Sequence, residues 1–524
     1  MPFFENPILT LMLVVCLPAM AGGYFFFLKG NRRLGLALLL YTAFALRIQM
    51  ITLDPFLHEW DERYHALVAK HMMEFPFKPM LFLKHILPYN MEDWAYTHIW
   101  VHKQPLFLWQ MAMSMKIFGV NTIALRLPSA IMGTIMVYLI YEIGRMWVNN
   151  RNAAYLAAMI ATFSYYPLEM ISGWISLDHN DLAFTFYMTC SFWALLKYIQ
   201  SPDPNKIKWA LLIGTFVGLA VLNKWLTAFL TFGGWGLYLV LSPKRYSLTS
   251  YIHLALGIVS SLLIFGPWQL YILNRFPKET AISYAMNRKH MTDNLGHPGD
   301  AMTHLKFLNT AYGYAVIAMF ICGVVYLLWK KKASRPFTMA ALGMIGVIFA
   351  FFSFLVATKM PALVYPVSAL IIVIAGAGLY ALIHYTTALT PNLSIRNVSK
   401  PIVLLVLILG ISLSTLQPQV IAKDRSDQNI YRNSKIHNNS VYKQLGKDVL
   451  GDRVVINCRP YENIELMFYQ DCLAYHWYPQ AAQLDSLKQL GYHFAAFDYP
   501  GDPQALPEWI KADTSILILP YTMK

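Results

Sequence analysis

Apolar runs of about twenty residues recur along this chain, each closed by charged residues, and no other feature constrains its fold as strongly. A helix needs about 20 consecutive apolar residues to cross a bilayer core, and lipid admits only backbones that satisfy their own hydrogen bonds. The runs fall near 8–28, 34–53, 124–148, 152–171, 181–199, 209–223, 225–242, 250–273, 310–329, 337–357, 363–385 and 401–418. The pair 209–223 and 225–242 is short, and reads as half-helices meeting at Asn223-Lys224. Of 524 residues, 57% are hydrophobic and 13% charged, where soluble domains carry about 25% charged residues. That excludes a water-soluble enzyme, a disordered chain, collagen and a small disulfide scaffold. The expected fold class is a polytopic α-helical membrane protein with about 12 transmembrane helices in residues 1–420, at the length each helix needs. A C-terminal extracytoplasmic α/β domain is expected over 425–524.

Basic residues set the orientation, because cytoplasmic loops collect Lys and Arg. One set of connections holds Lys29, Arg32 and Arg33; Arg145 and Arg151; Lys206 and Lys208; Lys244 and Arg245; Lys330, Lys331, Lys332 and Arg335; Arg396 and Lys400. The opposite short connections are nearly bare: 172–180 has none and 358–362 only Lys359. Alternating spans then place the N-terminus, the long loops 54–123 and 274–309, and the tail outside. Ala19-Met20-Ala21 mimics a leader cleavage site, but no basic n-region precedes it, so the first run is expected to be retained. The formal charge is +14, while residues 423–524 net −1. A basic excess confined to the membrane part suits lipid phosphates. No basic stripe interleaves with aromatics, so nucleic acid is not an expected partner.

In the tail, Val454–Asn457, Cys472–Trp477 and His493–Phe497 read as strands, and Glu462–Tyr469 and Gln483–Leu490 as helices. Strands alternating with helices imply a parallel sheet. Cys16, Cys190 and Cys322 fall inside apolar runs, as buried hydrophobes do. Cys458 and Cys472 flank predicted strands and can pair in an oxidising compartment. No cysteine spacing resembles a zinc site.

Charges beside apolar runs are costly and need a reason. The densest group is His58-Glu59-Trp60-Asp61-Glu62-Arg63-Tyr64-His65, followed by an amphipathic stretch, Ala66–Phe75, that suits the membrane interface. A solvated loop would look similar. In His98-Ile99-Trp100-Val101-His102-Lys103-Gln104-Pro105-Leu106, Pro105 can start a helix over Leu106–Phe118. Lys103 then stands near a helix N-terminus suited to phosphate, unless it snorkels to headgroups. In Ser176-Leu177-Asp178-His179-Asn180-Asp181, Asp181 can cap the next helix. Asp178 has no such structural reason, and the two carboxylates could serve as a general base or a metal site. Lys224, the pair Arg288-Lys289, and Lys359 before Met360-Pro361 add cations at outer boundaries. Each alone resembles an interfacial anchor; with Lys103 they suit a phosphate or pyrophosphate. His290, His297 and His304 are spaced by seven, which puts no metal ligands on one turn.

Taken in order, these segments resemble the GT-C superfamily of polyprenyl-phosphate-dependent glycosyltransferases. The similarity is greatest to the protein O-mannosyltransferase and lipid A aminoarabinose transferase group (family 39/83), over about residues 55–370. Asp61-Glu62-Arg63-Tyr64-His65 stands where the family has Asp-Glu followed by Ala-Arg-Tyr. His102-Lys103-Gln104-Pro105-Leu106 stands for Glu-Lys-Pro-Pro-Leu. Phe118-Gly119-Val120, Arg126-Leu127-Pro128-Ser129 and Leu222-Asn223-Lys224 match further segments, and Lys359-Met360-Pro361 with Tyr365-Pro366 matches a Lys-x-Pro-x-Tyr-x-x-Pro stretch. Two places depart: Tyr64 and His65 replace the family's Arg and Tyr, and His102 replaces a glutamate associated with metal or substrate.

The resemblance implies transfer of one sugar, with inversion, from a polyprenyl-phosphate donor to a glycolipid or protein acceptor at the inner membrane's extracytoplasmic face. It implies Asp61 as general base, with Asp178 and Glu62 supporting it. Lys103, His102, Lys224, Arg288, Lys289, Lys359, Tyr365 and Asp181 are the implied substrate-binding residues. No organic cofactor is implied, and use of a divalent metal is left open. The rival reading is a transporter or lipid flippase for a phosphate-bearing substrate, which would place charges near the midplane within internal repeats. Here they gather at outer boundaries, and no repeat is found.

Overall fold

The computed structural model describes residues 7–175, 179–224, 226–242, 247–388 and 409–524. Asp178 and residues 401–408 of the apolar run 401–418 lie outside them. Among the described residues, seven helices are long and apolar enough to cross a membrane: Arg32–Thr52, Thr122–Trp147, His179–Gln200, Leu248–Arg275, Thr303–Trp329, Lys332–Leu355 and Pro361–Tyr385. Three shorter apolar helices are Val14–Leu28, Leu106–Phe118 and Leu226–Leu241.

Several expected spans differ for local reasons. The run 152–171 breaks at extended Ser164 into Arg151–Phe163 and Tyr165–Ser172. The ring of Pro167 would clash with the carbonyl four residues back, that of Phe163, where the first piece ends. The run 209–223 belongs to Asp203–Val221, whose first turns carry Asp203, Lys206 and Lys208. The chain does leave its helix at Asn223-Lys224, and re-enters through a short 3-10 turn, Leu226–Phe229.

The chain forms two compact units. The first comprises Met1–Ile51, Ser129–Arg275 and Tyr284–Ala422. Small residues let its helices touch. A Cβ on Gly323 would lie 1.9 Å from the Ile374 carbonyl oxygen, and one on Gly378 1.9 Å from that of Met319. Close backbone approach of this kind drives helix association in lipid, where burial of apolar surface contributes little. Arg47 is fully buried in this unit and donates to the carbonyls of Ala43 (3.0 Å) and Ala161 (3.2 Å).

The second unit comprises Thr52–Pro128, Phe276–Ser283 and Lys423–Lys524. Its sheet has three parallel strands in the order β1 (Val454–Ile456), β2 (Phe494–Phe497), β3 (Ile516–Leu519). The helices Glu462–Tyr469 and Ala481–Gln489 lie in the β1–β2 crossover, as parallel pairing requires. The expected strand Cys472–Trp477 contributes one bridge, Val455 to Ala474. β3 was not expected. Cys458 and Cys472 are both free thiols.

The stretch Ala66–Phe75 is not an interfacial helix. It belongs to Asp61–Met72, ten of whose twelve residues are buried within this unit. Ion pairs account for the burial of its charges. Arg63 reaches Glu465 at 3.2 Å and Glu462 at 3.8 Å, and Lys435 bonds both carboxylates. Lys70 donates to the carbonyls of Met467 (2.9 Å) and Phe468 (3.1 Å), closing the C-terminal end of the helix Glu462–Tyr469. Burial and the neighbouring Glu462 push the Glu465 carboxyl up to about 7. Burial opposes ionisation of Glu462 as well, yet Lys435 and Arg63 hold it below the usual carboxylate range.

Candidate active site

Asp61 opens the helix Asp61–Met72, where a carboxylate meets the positive end of the helix dipole. The Lys103 ammonium donates to its Oδ2 at 2.9 Å, and both side chains are 17% exposed. Lys103 lies just before the helix Leu106–Phe118, which begins after Pro105 as its sequence predicted. His102 lies flat against Trp94, ring centroids 4.8 Å apart. An acid and a cation are thus paired and open to approach.

Glu62, by contrast, is buried. Arg126 grips it with a two-pronged contact, Nε to Oε1 at 2.7 Å and Nη2 to Oε2 at 2.9 Å. The same guanidinium donates to the carbonyls of Asp54 and Phe56, each at 2.7 Å, and the His58 amide donates to Glu62 Oε2 at 2.6 Å. The Glu62 oxygens are thereby engaged on both sides, tying the turn before Asp61 to Arg126. Asp54 is held in turn by Arg425 (2.9 Å) and Arg432 (3.4 Å). Burial opposes its charge, but Arg425 and His58 hold it well below the usual carboxylate range.

In the first unit, Asp181 pairs with Lys224, both largely buried. Asp181 sits in the first turn of His179–Gln200, and Lys224 in the break after Asp203–Val221. Beside them, neither amide atom of Asn180 nor Asn223 Oδ1 has a hydrogen-bond partner among the described residues. Tyr365 is buried among rings, 4.9 Å from Tyr166 and 6.2 Å from Tyr312. Arg288 and Lys289 are exposed on the helix Pro277–Thr292. The Lys359 ammonium donates to the carbonyls of Phe352 (3.0 Å), Ser353 (2.7 Å) and Val356. All three of its donors hold the end of the preceding helix, which argues against the expected phosphate contact. Asp178 is outside the described residues. Among those described, no three His, Cys, Asp or Glu side chains gather to hold a metal ion.

A family profile described as dolichyl-phosphate-mannose-protein mannosyltransferase matches residues 102–271, which include Lys103, Arg126, Asp181 and Lys224. The fold is similar to that of ArnT from Cupriavidus metallidurans bound to undecaprenyl phosphate, with a TM-score of 0.61 and 17% identity over 93% of each chain. The chain shares the ArnT fold. The sequence is also similar to undecaprenyl phosphate-alpha-4-amino-4-deoxy-L-arabinose arabinosyl transferase 2 of Proteus mirabilis, 24% identical over 49% of this chain and 46% of that one. A protein of Aquifex aeolicus is 29% identical over 40% of this chain and 38% of its own length. The match thus spans less than half the length of both curated relatives. The oligosaccharyltransferase AglB from Archaeoglobus fulgidus, in complex with an inhibitory peptide and a dolichol-phosphate, aligns with a TM-score of 0.50 and 16% identity over 83% of this chain and 64% of its own.

The sequence shows both acid–cation pairs as separate residues but not what holds them. Arg126 was visible only as part of a motif; its partner, Glu62, lies 64 residues away. A fully buried Arg inside an apolar run is the signal that points to such a partner. Asn180 and Asn223 carried no signal beyond adjacency to Asp181 and Lys224.

Proposed function

We propose that this chain is an integral-membrane inverting glycosyltransferase. It moves one sugar from a polyprenyl-phosphate donor to a hydroxyl of a lipid or protein acceptor. The observation that carries the reading is the accessible Asp61–Lys103 pair. As the acceptor oxygen bonds to the anomeric carbon, its proton passes to the Asp61 carboxylate and the bond from that carbon to the phosphate oxygen breaks. Polyprenyl phosphate leaves as an anion. Its departure therefore needs positive charge more than an acid, and Lys103 places an ammonium beside the base. Glu62, through Arg126, positions the base. His102 would adjoin the phosphate contact. Lys224, Arg288 and Lys289 are the further candidate phosphate contacts, and Asp181 and Tyr365 candidate substrate contacts.

The similar proteins support the donor class, since their names carry undecaprenyl and dolichol phosphates. An apolar cavity of ≈ 270 Å³ between helices of the first unit, lined by Leu305, Leu308, Tyr312, Ile345, Phe349 and Ile371, suits part of a prenyl chain. The Lys and Arg bias supports an inner-membrane protein whose site and residues 425–524 lie on the extracytoplasmic side. The test is transfer from a radiolabelled polyprenyl-phosphate sugar by protein in nanodiscs, alongside mass spectrometry of glycolipids and glycoproteins from cells with and without the gene. Labelled product that requires Asp61 supports the reading; an unaltered glycan profile and no label transfer sink it.

A further inference from the structure

Two aromatic residues in the second unit break local backbone rules, and they touch each other. Trp60 precedes the helix Asp61–Met72 at φ 60, and Tyr461 precedes the helix Glu462–Tyr469 at φ 70. Positive φ is strained for a bulky side chain and is natural for Gly or Asn. The residue before a helix usually carries a short oxygen-bearing side chain that caps it, and neither ring caps its helix. Both are exposed, Trp60 at 52% and Tyr461 at 36%. Strain of this kind persists where the surrounding structure enforces it, and it concentrates at ligand sites.

The rings form a row. Trp60 lies 5.8 Å from Tyr461, and Tyr461 stacks on Tyr96 at 6.0 Å. Tyr96 in turn meets His476 at 4.2 Å. The Arg63 guanidinium lies over Tyr461, 5.9 Å from its centroid. Tyr461 thus packs against both Arg63 and Tyr96, while Trp60 is more than half open. Acids rim the row: exposed Glu59 and the mostly buried Asp61 flank Trp60 in sequence, and Asp93 lies near Tyr96 and His476.

We propose that Trp60, backed by Tyr461 and Tyr96, is a stacking platform for a neutral or amino-bearing sugar ring of the acceptor. The C–H face of a pyranose carries slight positive charge and meets the negative face of an aromatic ring. The rim carboxylates accept hydrogen bonds from hydroxyl or ammonium groups, and they disfavour anionic headgroups. Trp60 adjoins Asp61 in the chain, so a sugar on its ring is held beside the base. The assignment of that sugar to the acceptor rests on the transfer reading above.

The test is saturation-transfer NMR on the full chain in nanodiscs, with the methyl glycosides of glucose and glucosamine as probes and no donor present. Saturation of the pyranose C–H protons is expected with the unaltered chain and with Trp60→Phe, and at least a tenfold loss with Trp60→Ala. Trp60→Gly should lose the sugar signal yet raise Tm by a few degrees, because glycine accepts positive φ without strain. Undecaprenyl phosphate should bind all four proteins equally. Equal sugar signals from the unaltered chain and Trp60→Ala would overturn the platform. So would quenching of the Trp60 fluorescence (unaltered chain minus Trp60→Phe) by brominated phosphatidylcholine, which would place the ring in lipid as an interfacial anchor. A Trp60-dependent sugar signal in a protein without transfer activity would keep the platform and remove the transfer reading. Activity without that signal does the reverse.

Discussion

Lys103 Nζ donates to Asp61 Oδ2 at 2.9 Å, joining a cation and an acid 42 residues apart in the chain. The pair makes two substitutions separable. Asp61→Asn is nearly isosteric and removes only the proton acceptor, so kcat should fall by about 10²–10⁴ with donor affinity little changed. Lys103→Ala should raise the donor Kd by about ten- to a hundredfold, the worth of one charged hydrogen bond. Single-turnover transfer and binding of labelled polyprenyl phosphate check both; near-normal turnover by Asp61→Asn removes it as the base.

Arg126→Lys keeps the charge but loses the fork that holds Glu62 and the carbonyls of Asp54 and Phe56. An ammonium cannot reproduce that planar geometry. The expected outcome is a loss of about 1–3 kcal/mol in stability. A fall in kcat without a change in donor Kd should accompany it, since the turn before Asp61 loosens. Tm and the two kinetic constants read this directly.

Asp181 and Lys224 form a largely buried pair, and breaking such a pair leaves an uncompensated charge. Lys224→Met alone should therefore cost about 3–5 kcal/mol, while the double change with Asp181→Asn should recover most of it. A double-mutant cycle on thermal stability measures the coupling. If Lys224 also contacts phosphate, the stable double variant still binds donor weakly; unchanged affinity would restrict the pair to a structural role.

His71 is buried in the helix Asp61–Met72 with Nδ1 2.9 Å from the Met80 carbonyl. Burial lowers its pKa to about 4. The folded form stays neutral while the unfolded chain takes up a proton below about 6.5. Its contribution to stability is thus complete above that pH and is lost as pH falls toward 4. The loss should reach about 2 kcal/mol at pH 5. His71→Gln should flatten this part of the dependence, and the difference in Tm between the two proteins from pH 7.5 to 5 is the measurement.

Continuous apolar runs of about twenty residues satisfy their backbone hydrogen bonds in a bilayer as helices, so the sequence by itself determined that this is a polytopic helical chain. It also marked where the charges interrupt the apolar runs. The start of Leu106–Phe118 was readable because Pro105 acts locally, and Glu462–Tyr469 and β2 followed from short-range patterning. The tertiary structure decided what those charges do. Ala66–Phe75 has the composition of an interfacial helix, yet Arg63 and Lys70 find partners near residues 462–471, and paired charges can be buried. Lys359 looked like an anion contact until three carbonyls took its donors, and nothing local in the sequence paired Glu62 with Arg126, 64 residues away. Each outcome depends on a partner distant in sequence or on the end of a helix. Sequence patterning reports burial and local propensity, whereas the pairing of ions is set only when the chain brings them within hydrogen-bond reach.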